Sequence, residues 1–326
     1  MNFQTIPPVD DSKALIDLAF SKARAKAKAK EFIGERVQNT KKRETLKIDV
    51  IKDQMVERLD KITRSFPSLD HLPEFYIKLL KLTLNYKDLK HSLGAVNWLM
   101  EKVKFFQKSY ARKIMKSTDY NSVKKHSKEF YGRISSVAKQ VDQNLTYLEA
   151  CRRVMKTYPD IKEMFTICIY GYPNIGKTTL LNKLTGSTAK TAAYSFTTVS
   201  INCAYFDLGD KKVQVLDVPG TLARKDKMNL IELQAELVLD DLANLAIFIF
   251  DLTEPYPFSE QKKLYEKVKK AKKTLVYLSK TDLLSKEQIT EFEEENIRYY
   301  SMDEIKKEIL DKAKDYVPPE KTTSKT

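Results

Sequence analysis

The segment Gly171-Tyr172-Pro173-Asn174-Ile175-Gly176-Lys177-Thr178 has the spacing G-x-x-x-x-G-K-[ST]. Glycines at that interval let the backbone wrap an anion so that successive N–H groups face it. An apolar run, Phe165–Tyr170, leads in, and an amphipathic stretch, Thr179–Leu184, leads out. The amides of a helix N-terminus then add to the same positive hollow. Lys177 is placed to reach the β- and γ-phosphates of a nucleoside triphosphate, and the Thr178 hydroxyl to ligate Mg²⁺. Tyr172, Pro173, Asn174, Ile175, Gly176 and Thr179 complete the expected phosphate contacts.

Forty residues beyond Lys177, Asp217-Val218-Pro219-Gly220 closes another apolar run. A carboxylate there supports Mg²⁺, usually through water, and the Gly220 N–H offers a bond to the γ-phosphate. Between the two segments, Phe196-Thr197-Thr198 supplies a threonine hydroxyl for the Mg²⁺ shell, in a stretch that orders when the γ-phosphate is present. Ser279-Lys280-Thr281-Asp282 follows a further apolar run. The Asp282 carboxylate accepts from both N1–H and N2–H₂ of guanine, a donor pair that adenine lacks, while Lys280 lies along the base plane. Serine at 279 makes fewer bonds than the asparagine that usually opens this motif, so guanine affinity is expected to be lower. Ser301-Met302 is placed to touch the guanine oxygen through backbone N–H groups. Lys177, Thr198 and Gly220 form the expected catalytic set, with Thr178, Thr198 and Asp217 at Mg²⁺. Thr221 stands where a water-positioning glutamine is common, so turnover is expected to be slow. An Asn174 side-chain oxygen beside the phosphates could hold K⁺ and replace the charge of an arginine.

These residues need a scaffold. From Phe165 onward, short β-rich runs alternate with helical stretches: Phe165–Tyr170, Ile201–Leu208, Lys212–Val218, Leu245–Leu252, Thr274–Leu278 and Ile297–Tyr300 read as strands. Gly209-Asp210 joins the second and third as a hairpin. The alternation predicts an α/β domain with a mainly parallel sheet flanked by helices over residues 161–316, and residues 317–326 read as a disordered tail. Residues 1–160 hold three glycines and read as long helices, hence an all-α antiparallel helical bundle. Its helices are expected at Thr45–Phe66, at Tyr131–Lys156 and, as two, within Glu74–Met115. Trp98, Leu99 and Phe105 read as core. In Ser21–Lys30 the charges sit at every second residue, which predicts a poorly packed helix or arm that contacts RNA.

The charge is divided unevenly. Residues 1–160 contain 33 Lys/Arg against 19 Asp/Glu, and residues 161–326 contain 25 of each, so the net +14 lies wholly in the first half. A neutral nucleotide domain behind a basic module points to an anionic partner, of which nucleic acid is the commonest. Three scattered cysteines, Cys151, Cys168 and Cys203, argue against a disulfide framework and against zinc. His71, His91 and His126 lack ligand spacing. No run approaches the roughly 18 apolar residues of a membrane span. The N-terminus lacks the apolar core of a secretory signal, so a cytoplasmic location is expected.

Taken together these motifs resemble the Obg-related GTPases, through Asn174 in the loop, Phe196-Thr197-Thr198 and Asp217-Val218-Pro219-Gly220. The first half is similar to the nucleolar GTP-binding protein branch of that group, in a short archaeal-type form. Phe66–Tyr76, Tyr86–Ala95 and Gln143–Glu149 carry that likeness. The resemblance implies a P-loop GTPase domain preceded by an rRNA-binding helical domain, GTP or GDP as ligand, and a role in large-ribosomal-subunit assembly on pre-ribosomal particles. Two other roles remain open on the same residues: an Obg-like GTPase of translation or stress signalling, and an RNA-binding factor that holds nucleotide with negligible turnover.

Overall fold

The computed structural model describes residues 3–186, 190–196, 199–209, 211–218, 230–253 and 256–317. Two compact units emerge. One is helical and holds residues 3–72 and 83–156; the other is α/β and holds residue 157 onward together with 73–82.

In the helical unit, α1 (Ser12–Ala29) and α2 (Arg36–Ser65) pack together, and α2 also packs on α4 (Tyr86–Lys116) and α5 (Tyr120–Gln140). α4 covers α6 (Asp142–Met155) as well. The apolar face of α2 is the expected one: Ile48, Ile51, Met55, Leu59 and Ile62 are all buried. The helix ends at Ser65, because the residue before Pro67 is pushed to extended backbone; Phe66 has ψ 136°. Side-chain caps start α1, α4 and α5. Asp11 accepts from the Ala14 N–H, Asn85 from Lys87 and Asp88, and Asp119 from Ser122.

Three expectations are corrected here. The Ser21–Lys30 segment is not a loose arm. Ala19, Ala23 and Ala27 recur every four residues, lie buried and let α1 pack closely on α2, while Arg24, Lys26 and Lys28 stay in solvent. The expected helix over 131–156 is two helices. Val141 (φ −100°, ψ 7°) breaks it, and Asp142 then accepts the Ser12 N–H at 2.8 Å. Trp98 and Phe105 are not core. The buried face of α4 runs through Leu89, Ser92, Val96, Leu99, Val103, Tyr110 and Ile114, so positions 98 and 105 fall on the opposite side, 40% and 62% exposed.

Among its described residues the α/β unit has six strands: β1 (Thr166–Tyr170), β2 (Lys190–Phe196), β3 (Val199–Leu208), β4 (Lys211–Asp217), β5 (Leu245–Phe250) and β6 (Thr274–Leu278). Their order is β2-β3-β4-β1-β5-β6. β4, β1, β5 and β6 are parallel to one another, and β2-β3-β4 is antiparallel. β1 and β5 are buried along their whole length, as central parallel strands are. Gly209, at φ 63°, turns β3 into β4 as expected. β2 is a strand beyond those expected from the alternation of runs. Residues 297–300 form no strand: Tyr300 donates one backbone bond to Val276 O, too few for a ladder. The helices of this unit are α3 (Glu74–Thr83), α7 (Lys177–Thr185), α8 (Leu230–Asp241), α9 (Phe258–Ala271), α10 (Lys286–Glu294) and α11 (Met302–Lys314).

α3 was expected within the bundle, but it belongs to the α/β unit. Its Tyr76 hydroxyl donates to Pro159 O at 2.8 Å and accepts from the Ile161 N–H at 3.0 Å, and Lys78 pairs with Asp241 at 2.9 Å. These polar ties outweigh sequence proximity to α2.

Candidate functional site

The carboxyl ends of four parallel strands lie along one edge of the sheet, where α/β folds place ligands. β1 ends at Tyr170 and runs into the loop Gly171–Gly176. Three residues there have positive φ: Gly171 at 152°, Asn174 at 63° and Gly176 at 95°. Glycine is required at 171, since a Cβ would stand 2.2 Å from the Ile175 Cδ1 and 3.1 Å from the Ile249 carbonyl. The turns bring the chain into α7, whose N-cap, Gly176, has no side chain to satisfy the first-turn amides. Those amides, at the positive end of the helix dipole, open onto the loop.

Lys177 is the first residue of α7 and is 8% exposed. Its Nζ donates to Tyr172 O at 2.6 Å and to Gly171 O at 3.3 Å, so the ammonium lies inside the loop. Burial pushes it down to about 8, against an opposing pull from nearby Asp217. A folded-state value below the unfolded 10.5 means that the unfolded chain binds more protons between pH 8 and 10.5. The group therefore costs stability below pH 8, and that cost fades as pH rises. Urea unfolding of the nucleotide-free chain should gain about 2 kcal/mol from this group between pH 7.5 and 9.5. Lys177→Met should lack that gain, and equal pH profiles would place the ammonium in water.

Thr178 and Asp217 meet across the loop. The Thr178 hydroxyl donates to Asp217 Oδ2 at 2.7 Å, and β4 presents Asp217 in register with Ile169 of β1. Asn202 of β3 pairs in register with Asp217 and donates to the same oxygen at 3.1 Å. Two hard oxygens at the mouth of a phosphate hollow suit Mg²⁺, which takes few protein ligands and fills its shell with water and phosphate. Among the described residues no cluster of three or more His, Cys, Asp or Glu could hold a metal alone.

At the far end of the edge, Lys280 follows β6 in left-handed backbone (φ 51°), and its Nζ pairs with Asp251 Oδ2 at 2.6 Å. Asp251 directly follows β5 and is fully buried, and its Oδ1 accepts from the N–H and hydroxyl of Thr253. Gln261 of α9 brackets the same loop: its Oε1 accepts from Asp251 N–H, and its Nε2 donates to Asp251 O and Tyr256 O. The rings of Tyr172 and Tyr256 are 4.9 Å apart and join this loop to the phosphate loop. Asp282 follows, exposed, in the single turn Thr281–Leu283. The loops that carry Lys177 and Asp282 leave β1 and β6, strands that lie two spacings, about 10 Å, apart with β5 between them.

Two residues expected at guanine have partners within the protein. The Ser279 hydroxyl donates to Phe250 O at 3.1 Å, so this buried side chain ties β6 to β5. Ser301 is the N-cap of α11, and its N–H donates to Glu304 Oε2 at 2.8 Å. A capping box uses that amide, and Met302 opens the helix behind it. Phe196 ends β2, while Thr197, Thr198, Gly220 and Thr221 lie outside the described residues. Asn202, Asp251 and Gln261 were not singled out from sequence. Asp251 was read as strand interior, although an acid directly after the apolar run 245–250 was its one visible signal.

Residues 3–162 match the family model described as the NOG1 N-terminal helical domain, and residues 166–280 match the 50S ribosome-binding GTPase model. Protein MJ1408 of Methanocaldococcus jannaschii, described as uncharacterized, is 36% identical over 74% of this chain and 70% of its own length. Nucleolar GTP-binding protein 1 of Drosophila melanogaster is 30% identical over 89% of this chain and 46% of its own length. The chain belongs to the nucleolar GTP-binding protein 1 family. It spans under half the length of this eukaryotic relative and of the Saccharomyces cerevisiae one, which is 26% identical with 46% of its length covered. Among solved structures, the G domain of the T. maritima FeoB iron transporter is 23% identical over 45% of this chain and 98% of that one, with a TM-score of 0.36. In family terms, the two matched models meet within Lys162–Thr166, where the helical half gives way to β1.

Proposed function

We propose that this member of the nucleolar GTP-binding protein 1 family is a Mg²⁺-dependent GTP switch that hydrolyses GTP slowly and acts in assembly of the large ribosomal subunit. The observation that carries the reading is the pairing of a buried Lys177 with the Thr178–Asp217 contact at one loop. Bound triphosphate gives the ammonium phosphate oxygens in place of the Tyr172 and Gly171 carbonyls. Thr178, Thr198 and Asp217 would hold Mg²⁺, which would neutralise phosphate charge there. Asn202 keeps Asp217 aimed at that point. The Gly220 amide would complete the γ-phosphate contacts. Asp282 reads guanine, and the Lys280–Asp251 pair fixes the loop that carries it. Loop residues 172–176 and Thr179 line the phosphates.

Without a glutamine at position 221, hydrolysis depends on added charge. Asn174, exposed and lifted by its positive φ, holds K⁺ beside the phosphates. Single-turnover hydrolysis in KCl should exceed that in NaCl by about tenfold or more, a modest share of what an arginine supplies. Asn174→Ala should abolish the difference. Equal rates in the two salts would remove the K⁺ site, and no turnover in either would leave a nucleotide-holding factor.

The helical unit carries the whole net charge, +14, which supports binding to rRNA mainly through phosphates. RNA affinity should then fall roughly 10³-fold between 50 and 200 mM salt, measured by fluorescence anisotropy. A salt-independent affinity would contradict phosphate contacts. The matched model's description, a 50S ribosome-binding GTPase, supports the same target, the large-subunit precursor. No helix among the described residues is long and apolar enough to cross a membrane.

A further inference from the structure

The outward stripe of α4 carries large apolar side chains that the bundle does not use. Trp98, Phe105 and Met115 are 40%, 62% and 59% exposed. They lie along about 26 Å of helix. Between residues 101 and 116 they alternate with Lys102, Lys104, Lys108, Arg112, Lys113 and Lys116, against one acid, Glu101. Lys102 Nζ stands 5.6 Å from the centre of the Trp98 ring. Exposed aromatics interleaved with cations form a surface for stacking bases and neutralising phosphates, whereas a protein-docking patch is usually poor in lysine.

At the Trp98 end the stripe opens into a groove of about 460 Å³. Its walls are His91, Gly94 and Trp98 on α4 facing Gln140, Val141 and Asn144, where α5 breaks into α6. The break makes the groove, since an unbroken helix would carry its side chains across this gap. Polar atoms edge it. The Asn144 amide donates to Ser92 Oγ at 3.2 Å and lies 3.4 Å from His91 Nδ1, and Gln140 is exposed at the rim. Gly94 keeps the floor open, because a Cβ there would meet nothing within 4 Å.

We propose that this groove seats an unpaired RNA base, stacked on Trp98 with the amides and imidazole of the rim at its edge, while the lysines of α4 follow the flanking phosphates. This rests on the RNA-binding reading above and assigns it a face and a substrate class: single-stranded or looped RNA rather than duplex, whose stacked bases cannot enter.

Trp98 is the only tryptophan in the sequence, so its emission reports on this groove alone. The full chain is titrated with a single-stranded RNA of roughly twelve nucleotides and with a duplex of equal length. The single strand should quench Trp98 and the duplex should not. Trp98→Ala should weaken single-strand binding roughly 5- to 100-fold with an unchanged salt slope, and Trp98→Phe should retain most of it. Gly94→Leu, which fills the groove on an exposed helix face, should give a similar loss with no fall in melting temperature. Saturable, salt-dependent RNA binding with unchanged Trp98 emission, and with the Ala variant within about twofold of the parent, overturns the groove proposal and leaves the RNA reading standing. If no RNA binds the folded chain, both fall. Should Trp98→Ala spare naked RNA yet weaken association with large-subunit particles, the stripe belongs to a protein partner and the proposal is overturned.

Discussion

Lys177→Ala is expected to weaken GTP binding by between roughly 30-fold and several thousand-fold, the cost of removing one partner from a buried charge pair. It should leave the nucleotide-free protein at least as stable as the parent. Both halves come from one geometry. Without nucleotide the ammonium is enclosed, donates to the Tyr172 and Gly171 carbonyls and is pushed down to about 8 by burial, against the pull of Asp217. A buried cation with neutral partners is a cost to the fold. With a triphosphate present, the same cation faces several negative oxygens, and enclosure strengthens the attraction. Isothermal titration with GTP, paired with thermal melts, checks the two effects separately. A variant that binds GTP as the parent does would show that Lys177 serves the loop only. A variant that melts well below the parent would show that the ammonium stabilises the apo fold.

The second large effect concerns the base. Asp282→Asn should lower GTP affinity by about 10²-fold or more and make XTP the preferred ligand. Guanine presents two donors, N1–H and N2–H₂, and a carboxylate accepts both. An amide presents one acceptor and one donor, so it faces the guanine amino group with a clash of donors. Xanthine carries a carbonyl at that position and matches the amide. Asp282 suits this exchange because it is exposed on a short turn while its neighbour Lys280 holds the loop to buried Asp251. The substitution changes the hydrogen-bond code and leaves the scaffold. Competition between GTP, XTP and ATP on the variant reads the outcome. An unaltered preference for GTP would mean that another group reads the base.

The phosphate end of the site was legible because its chemistry is local in the chain. Gly171–Thr178 combines the strained turns, the helix start and the charged group in eight consecutive residues, and Thr178 meets Asp217, the other side chain expected at Mg²⁺. The base end was less legible because it is assembled across strands. Lys280 owes its position to Asp251, which is twenty-nine residues away. Ser279 turned inward to Phe250, and the sequence around Ser301 serves equally as a capping box and as a base contact. Local hydrogen bonding forms the cap. β2 was missed because its pairing is entirely with β3, and 297–300 was over-read because apolar residues beside a sheet edge resemble a strand until the ladder is examined. In the helical unit, periodicity placed the core of α2. It misplaced Trp98 and Phe105 because large aromatics were weighed by type rather than by phase along α4. The charge division lay in plain view, and the solvent side of α4 gives it a specific surface.

The central claim is that one pocket along the carboxyl edge of the sheet takes a guanine nucleoside triphosphate with Mg²⁺. Calorimetric titration of the purified chain with GTP and with ATP, each with Mg²⁺, tests it most directly. Binding of one GTP per chain, at least about 100-fold tighter than ATP, is the predicted result. Equal affinity for the two, or no binding of either to the folded chain, would contradict it.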